Sequence, residues 1–269
     1  MILYLIAAIL VGWLSGVFIN TLSDSMPFLR RPRLPLYPDG RTRPLIAWSG
    51  LIAFLTGHRQ GSTETAPLTD EETGEVTYVP NRLKWRHIIV EIGTPLLFAW
   101  LVLRFADDRP LLRFVIWFIY FTILILITVI DIEHFLILFP ISIPSIIIAA
   151  ALSMLFPPEG HSWSEFLIGG LVGFGVFFLI FSGGILFNVL TGNSVVAFGF
   201  GDVMLATIAG FMVGIKAIFS VTILAIVFGG VGALLYVVVA LFMRNFTAMK
   251  PLPYGPYIAL ATGLSLLAL

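Results

Sequence analysis

Residues 111–131 read LLRFVIWFIYFTILILITVID, a predominantly apolar run over 114–130 that stops on a carboxylate, Asp131. About 20 apolar residues suffice to cross the hydrocarbon core of a bilayer. Runs of that kind recur along the chain, and 59% of its 269 residues are hydrophobic against 11% charged. A soluble domain carries roughly a quarter of its residues charged, and the mean hydropathy here is +1.03. The runs are continuous, whereas a membrane barrel needs short segments of alternating polarity. The expected fold is an all-α polytopic membrane protein of about eight transmembrane helices with one cytoplasmic loop domain.

The expected spans are 2–22, 88–103, 111–130, 139–156, 166–186, 195–215, 217–243 and 254–269. The first lacks the basic leading flank of a signal peptide, so it reads as a retained span. Residues 23–86 form the only long polar stretch, rich in proline and glycine, and read as turns and loops with little regular core. Thr73–Val79 is expected to form the second half of a hairpin. The chain thus divides into a first helix at 1–22, a cytoplasmic loop domain at 23–86 and a membrane core at 87–269. Gly12 with Gly16, the glycines 169, 170, 173 and 175, and the pairs 210/214 and 229/230 mark faces where helices approach closely.

Charge excludes some functions and sets an orientation. The formal net charge is zero and no strongly basic stripe is present, which argues against a nucleic-acid partner. Cysteine is absent, which rules out disulfides, thiolate catalysis and Cys-ligated zinc. Cytoplasmic loops carry the excess of Lys and Arg. Placing 23–86 inside puts eleven of the fifteen Lys and Arg there, leaving Arg104, Arg109, Arg113 and Lys216 outside. Both termini then face out, and the third span delivers Asp131 to the cytoplasmic side.

The second intramembrane carboxylate, Asp202, follows Gly199-Phe200-Gly201. The same topology starts its helix from the cytoplasmic side, so both acids arrive at one depth, slightly below the interface. A charge at that depth costs roughly 2.5–3.5 kcal/mol on insertion scales and marks a functional site by default. Two close carboxyls do not both ionise easily, so the pair holds one shared proton. Such a pair activates a water while protonating a carbonyl oxygen or a leaving amine, which is the chemistry of peptide hydrolysis. Gly199 and Gly201, without Cβ, leave the backbone beside the acid open to close approach. Simpler roles stand beside this one. Asp202 alone suits a helix N-cap, Asp131 alone suits a pairing with His134 or an arginine, and paired membrane acids also line ion pathways. An ion-coupled transporter and a protein-binding scaffold without proteolysis are the alternative functions.

Several segments, in order, resemble the type IV prepilin peptidase family of the bacterial inner membrane. They are 18–27 (FINTLSDSMP), 46–51 (IAWSGL) with 55–59 (LTGHR), Arg86 to Glu91, 130–134 (IDIEH) with Pro140, 199–203 (GFGDV) and 253–257 (PYGPY). The resemblance implies aspartic proteases that remove a short basic leader from prepilins or pseudopilins at the cytoplasmic membrane face. It implies Asp131 and Asp202 as the catalytic pair, supported by Gly199 and Gly201, with Glu91, Pro253, Gly255 and Pro256 as candidates to line the site. Many relatives also methylate the new N-terminus using S-adenosylmethionine. Proteolysis itself needs no cofactor, and no zinc is expected, because the four loop cysteines typical of the family are missing. Met204 stands where the family usually has lysine, which removes a cation close to the pair.

Other polar residues have more than one role open. Glu71, Glu72 and Glu75 suit docking of a basic leader or a solvated surface. Arg86 suits an ion pair with Glu91 or, rather better, an anchor at the cytoplasmic face. Glu91, deeper, needs a polar partner, and Asn20 suits a bond to a neighbouring helix. The four histidines read as interfacial or surface residues. The substrate's identity and the oligomeric state are not legible.

Overall fold

The computed structural model describes residues 1–29, 32–69, 76–107, 109–192, 199–242 and 252–269. Contacts divide the chain into two compact units, 1–126 and 127–269. The elements are α1 (Ile2–Leu29), a 3₁₀ turn (Leu45–Ala47), α2 (Gly50–Leu55), β1 (Gln60–Thr69), β2 (Val76–Arg82), α3 (Arg86–Phe105), α4 (Leu111–His134), α5 (Phe139–Leu155), α6 (Trp163–Thr191), α7 (Phe200–Val213), α8 (Ile215–Phe242) and α9 (Gly255–Ala268).

The architecture is that of an all-α multi-pass membrane protein. Five helices (α1, α3, α4, α6 and α8) are long and apolar enough to cross a bilayer, and α5, α7 and α9 are shorter apolar helices. The expected eight spans therefore appear as five long and three short helices among the described residues. At 1.5 Å per residue, α7 extends only about 21 Å, short of a hydrocarbon core of about 30 Å. It begins after Gly199 and ends at Gly214, whose φ of 75° belongs to the left-handed region that glycine tolerates. Several helix hydroxyls are satisfied within their own helices. Thr122, Ser145, Thr207 and Thr262 each donate to the carbonyl four residues earlier. That bond needs neither water nor a partner helix, as lipid surroundings require.

In the first unit α1 and α3 pack closely because Gly12 and Gly16 lie against the α3 backbone. A Cβ on Gly12 would collide with the Cα of Pro95, and one on Gly16 would stand 2.9 Å from the Cα of Glu91. Helix α1 continues past the expected end at residue 22, to Leu29. Asn20, Thr21, Asp24 and Ser25 find polar partners there, and the chain remains helical through them. The polar stretch also has more structure than expected. Tyr37, Ala47, Ala53 and Leu83 form a small buried cluster with Phe54 against it. β1 and β2 pair antiparallel, with a register shift between Gln60 and Thr65. Of the expected second strand at Thr73–Val79, residues 76–79 lie in β2, and residues 73–75 lie outside the described residues.

In the second unit α7 is the centre, with every residue from Val203 to Val213 buried. It is zipped to α6 through glycine. A Cβ on Gly169 would sit 2.5 Å from the Gly210 carbonyl oxygen, one on Gly173 would meet the Ala206 carbonyl, and one on Gly210 the Gly169 carbonyl. Gly170 rests on the Phe211 ring. Gly175, expected on the same face, points into open space, as does Gly230. Helix α8 buries little of its surface inside the unit, which suits a lipid-facing helix.

Candidate active site

The second unit contains both intramembrane aspartates. Asp202 is the third residue of α7. Gly199 precedes the helix in an extended conformation (φ −88°, ψ 155°). Its N–H donates to Asp202 Oδ2 at 3.0 Å, and its carbonyl accepts from the Asp202 N–H at 3.1 Å. The N-cap alternative is thus half realised, since the carboxylate reaches back to bind the backbone ahead of its own helix. Phe200 fixes this end between Phe139 and Phe181, with ring centroids 5.9 and 5.6 Å away. Gly201 lies against the segment that follows α4. A Cβ there would come within 2.6 Å of Ile137 Cβ.

Asp131 occupies the last turn of α4, three residues before the helix ends at His134. It is only 5% exposed. Its Oδ2 accepts from the N–H of Gly255, the first residue of α9, at 2.9 Å. The helix stops there because Phe135 takes a positive φ of 55°, while its N–H still bonds the Asp131 carbonyl at 2.9 Å. Asp131 acts electrostatically on Asp202, and Asp202 on the Tyr254 phenol. Each carboxylate is held through one oxygen by a glycine N–H at the start of a helix. No hydrogen bond reaches either Oδ1 among the described residues, so one oxygen of each acid remains for a reacting water or a carbonyl.

The sequence candidates separate into three groups. Asp131, Asp202, Gly199, Gly201 and Gly255 meet in the second unit. Pro256 is the second residue of α9, where a missing N–H leaves no bond unmade, and Pro253 belongs to the turn ahead of it. Glu91 belongs to the first unit. Glu71, Glu72 and Glu75 lie outside the described residues.

Glu91 is 1% exposed and accepts four hydrogen bonds. They come from Ser49 Oγ at 2.5 Å, Gly50 N at 2.7 Å, Leu51 N at 3.1 Å and Asn20 Nδ2 at 3.0 Å. It therefore caps the N-terminus of α2 from another helix. Beside it lies an ion cluster on Asp24. Arg43 binds Asp24 Oδ2 at 2.5 Å, Arg86 binds its Oδ1, and His87 Nε2 lies 2.9 Å from Oδ2. Arg86 also donates to Asn20 at 2.9 Å. Arg86 thus pairs with Asp24, a partner not expected from the sequence. His87, expected at the surface or interface, is buried. The sequence offered one signal for this cluster. Asn20 and Asp24 stand four positions apart and share a helix face. In the loop itself, Asp39 accepts from Asn81 at 3.0 Å, Ser62 at 3.1 Å and the Arg41 N–H at 3.1 Å. Partial burial pulls its carboxyl upward, but these bonds prevail and hold it below the usual carboxylate range.

Residues 118–234 match the model of the type IV leader peptidase family. This stretch is less than half of the chain and carries both Asp131 and Asp202. The loop of the first unit and the Pro253–Tyr257 turn lie outside it. The match supports a leader-peptidase type of protease for this stretch, and the chain contains no cysteine. No curated protein and no solved structure gives a significant match. Among the described residues, no group of three or more His, Asp or Glu is placed to hold a metal ion.

Proposed function

We propose that this protein is an aspartic endopeptidase that removes the basic leader from type IV prepilins or pseudopilins. The observation that carries the proposal is the pair of carboxylates in one compact unit, each held through Oδ2 by a glycine N–H. One acid is ionised and takes a proton from water as its oxygen attacks the scissile carbonyl carbon. The other, protonated, gives its proton to the carbonyl oxygen. The gem-diol intermediate then collapses: the C–N bond breaks, the leaving nitrogen takes a proton from the acid that gained one, and one hydroxyl returns its proton to the acid that gave one. Water is added across the peptide bond, and no covalent intermediate forms.

On this proposal the site lies at the cytoplasmic face of a bacterial inner membrane with both termini outside, a reading that the positive loops support. A basic leader lies in that compartment, and the apolar helix behind it enters the bilayer. The partners are the prepilin and the surrounding lipid. N-methylation of the product with S-adenosylmethionine would be a separate activity.

The test is cleavage of a co-expressed prepilin by Asp131→Asn and Asp202→Asn variants that insert normally. Mass spectrometry of the pilin N-terminus reads cleavage, cut site and methylation together. Either variant is expected to leave the leader attached. Near wild-type cleavage by one of them would refute the mechanism, and proton flux through proteoliposomes without cleavage would favour an ion-coupled transporter.

A further inference from the structure

We propose that the turn Tyr254-Gly255-Pro256-Tyr257 is a positioning device for Asp131, seated on α8 by Gly229 and Gly232; this rests on the protease assignment above. Gly255 supplies the N–H that holds Asp131 Oδ2 at 2.9 Å. Only glycine fits, since a Cβ would stand 2.6 Å from that same oxygen. The turn itself is anchored by two tyrosines, whose rings lie edge to face at 6.1 Å. The Tyr257 N–H closes the turn onto the Tyr254 carbonyl at 3.1 Å.

Both rings need glycine beneath them. A Cβ on Gly229 would stand 2.7 Å from Tyr254 Cε2, and one on Gly232 would collide with the Tyr257 hydroxyl. The two glycines are three positions apart on α8, as are the two tyrosines in the turn, so both pairs meet on one helix face. Gly230, between them, meets nothing within 4 Å. The two positions are therefore selected by the rings, and general flexibility of α8 does not account for them. A displaced tyrosine moves the Gly255 N–H, and the Asp131 carboxylate moves with it. Pro256 keeps the turn stiff by fixing φ at the second position of α9. Gly229, Gly232 and Gly255 act through Asp131 and touch no substrate in this scheme.

The experiment compares Gly232→Ala, Gly255→Ala and Gly230→Ala in prepilin cleavage by the full chain in detergent. Gly232→Ala and Gly255→Ala are expected to lower kcat about 10²-fold, the loss that follows a misplacement of about 1 Å. KM should stay near wild type, and the pH–rate profile should move, because the environment of one acid has changed. Gly230→Ala should match wild type in rate, KM and melting temperature. Wild-type turnover by Gly232→Ala and Gly255→Ala, with Asp131→Asn inactive, overturns the positioning role and leaves the protease assignment standing. A loss of rate that tracks the melting temperature, with an unmoved pH profile, also overturns it in favour of a structural role. Cleavage by Asp131→Asn overturns the protease assignment instead.

Discussion

Removing the Glu91 carboxylate should release α2 from the helices that hold it. In Glu91→Ala four donors lose their acceptor at once. The Asn20 amide and the Ser49 hydroxyl can turn toward other acceptors. The N–H groups of Gly50 and Leu51 cannot, because the first turn of a helix has no intrahelical acceptor for them. Each buried donor left unmade costs about 1–3 kcal/mol, so two give about 2–6 kcal/mol. Breaking a buried charged network by deleting one partner typically costs about 3–5 kcal/mol, which agrees. The ion pairs on Asp24 do not involve Glu91, so apart from Asn20, which also accepts from Arg86, the loss should be local to the α2 region. Glu91→Gln keeps one carbonyl oxygen and should lose about half as much. The assay is thermal unfolding in detergent followed by tryptophan fluorescence, since Trp48 flanks α2 and donates to the Arg43 carbonyl at 3.1 Å. Limited trypsin digestion at Arg41 and Arg59 runs in parallel. A fall in melting temperature of about 5–10 °C with new cuts at those arginines is expected. A melt within about one degree of wild type and an unchanged digest would refute the capping argument.

Three further outcomes follow from the same contacts. Gly210→Val should be destabilising by about 1–3 kcal/mol or more, because its Cβ meets the Gly169 backbone, whereas Gly175→Val points into open space and should melt like wild type. The hydrogen bonds that hold Asp39 below the usual carboxylate range contribute stability that is present above roughly pH 4 and lost as pH falls through its folded value. Hydrogen exchange of the hairpin amides should therefore quicken between roughly pH 5 and pH 2 in the wild type, and an Asp39→Asn variant showing the same pH dependence would contradict this. Neutralising Glu71, Glu72 and Glu75 should slow cleavage of basic-leader substrates most at low salt, where screening is weakest; rates and salt dependence equal to wild type would leave the cluster as solvated surface.

The helical core was legible because each apolar run is continuous, and a lipid-facing helix needs no pattern finer than that. Boundaries failed where polar residues had partners far away in sequence. Asn20 and Asp24 look like the start of a loop until Arg43, Arg86 and His87 are placed beside them. The glycines on α6 were legible as a face, but only the partner helix decides that Gly173 is on it and Gly175 is off it. Asp202 was expected as an N-cap or a reactive acid; it is instead the third residue of α7, with one oxygen bound to the Gly199 N–H ahead of the helix. The Gly255 bond to Asp131 spans 124 positions. No local periodicity encodes such a contact, and only the resemblance of the Pro253–Tyr257 segment pointed toward it.

The replacement of the usual lysine by Met204 has a physical counterpart in that arrangement. Met204 is buried within α7, where a cation would itself need desolvating. Among the described residues, no salt bridge reaches Asp131 or Asp202. The polar support of the pair falls instead to backbone N–H groups at the starts of α7 and α9. Such groups have no acceptor inside their own helix and carry the positive end of its dipole. A carboxylate placed there satisfies itself and the helix end together, without a second charge in a lipid-surrounded unit. The constraint then passes from cations to glycines. Gly255 must be bare to let Asp131 reach its N–H, and Gly201 must be bare to seat α7 against Ile137. Restoring a lysine at position 204 therefore adds a charge to a pair already held by neutral donors. On this account it shifts the pH profile of cleavage more than its maximal rate, and an unmoved profile in Met204→Lys would show that the backbone donors are not what supports the pair.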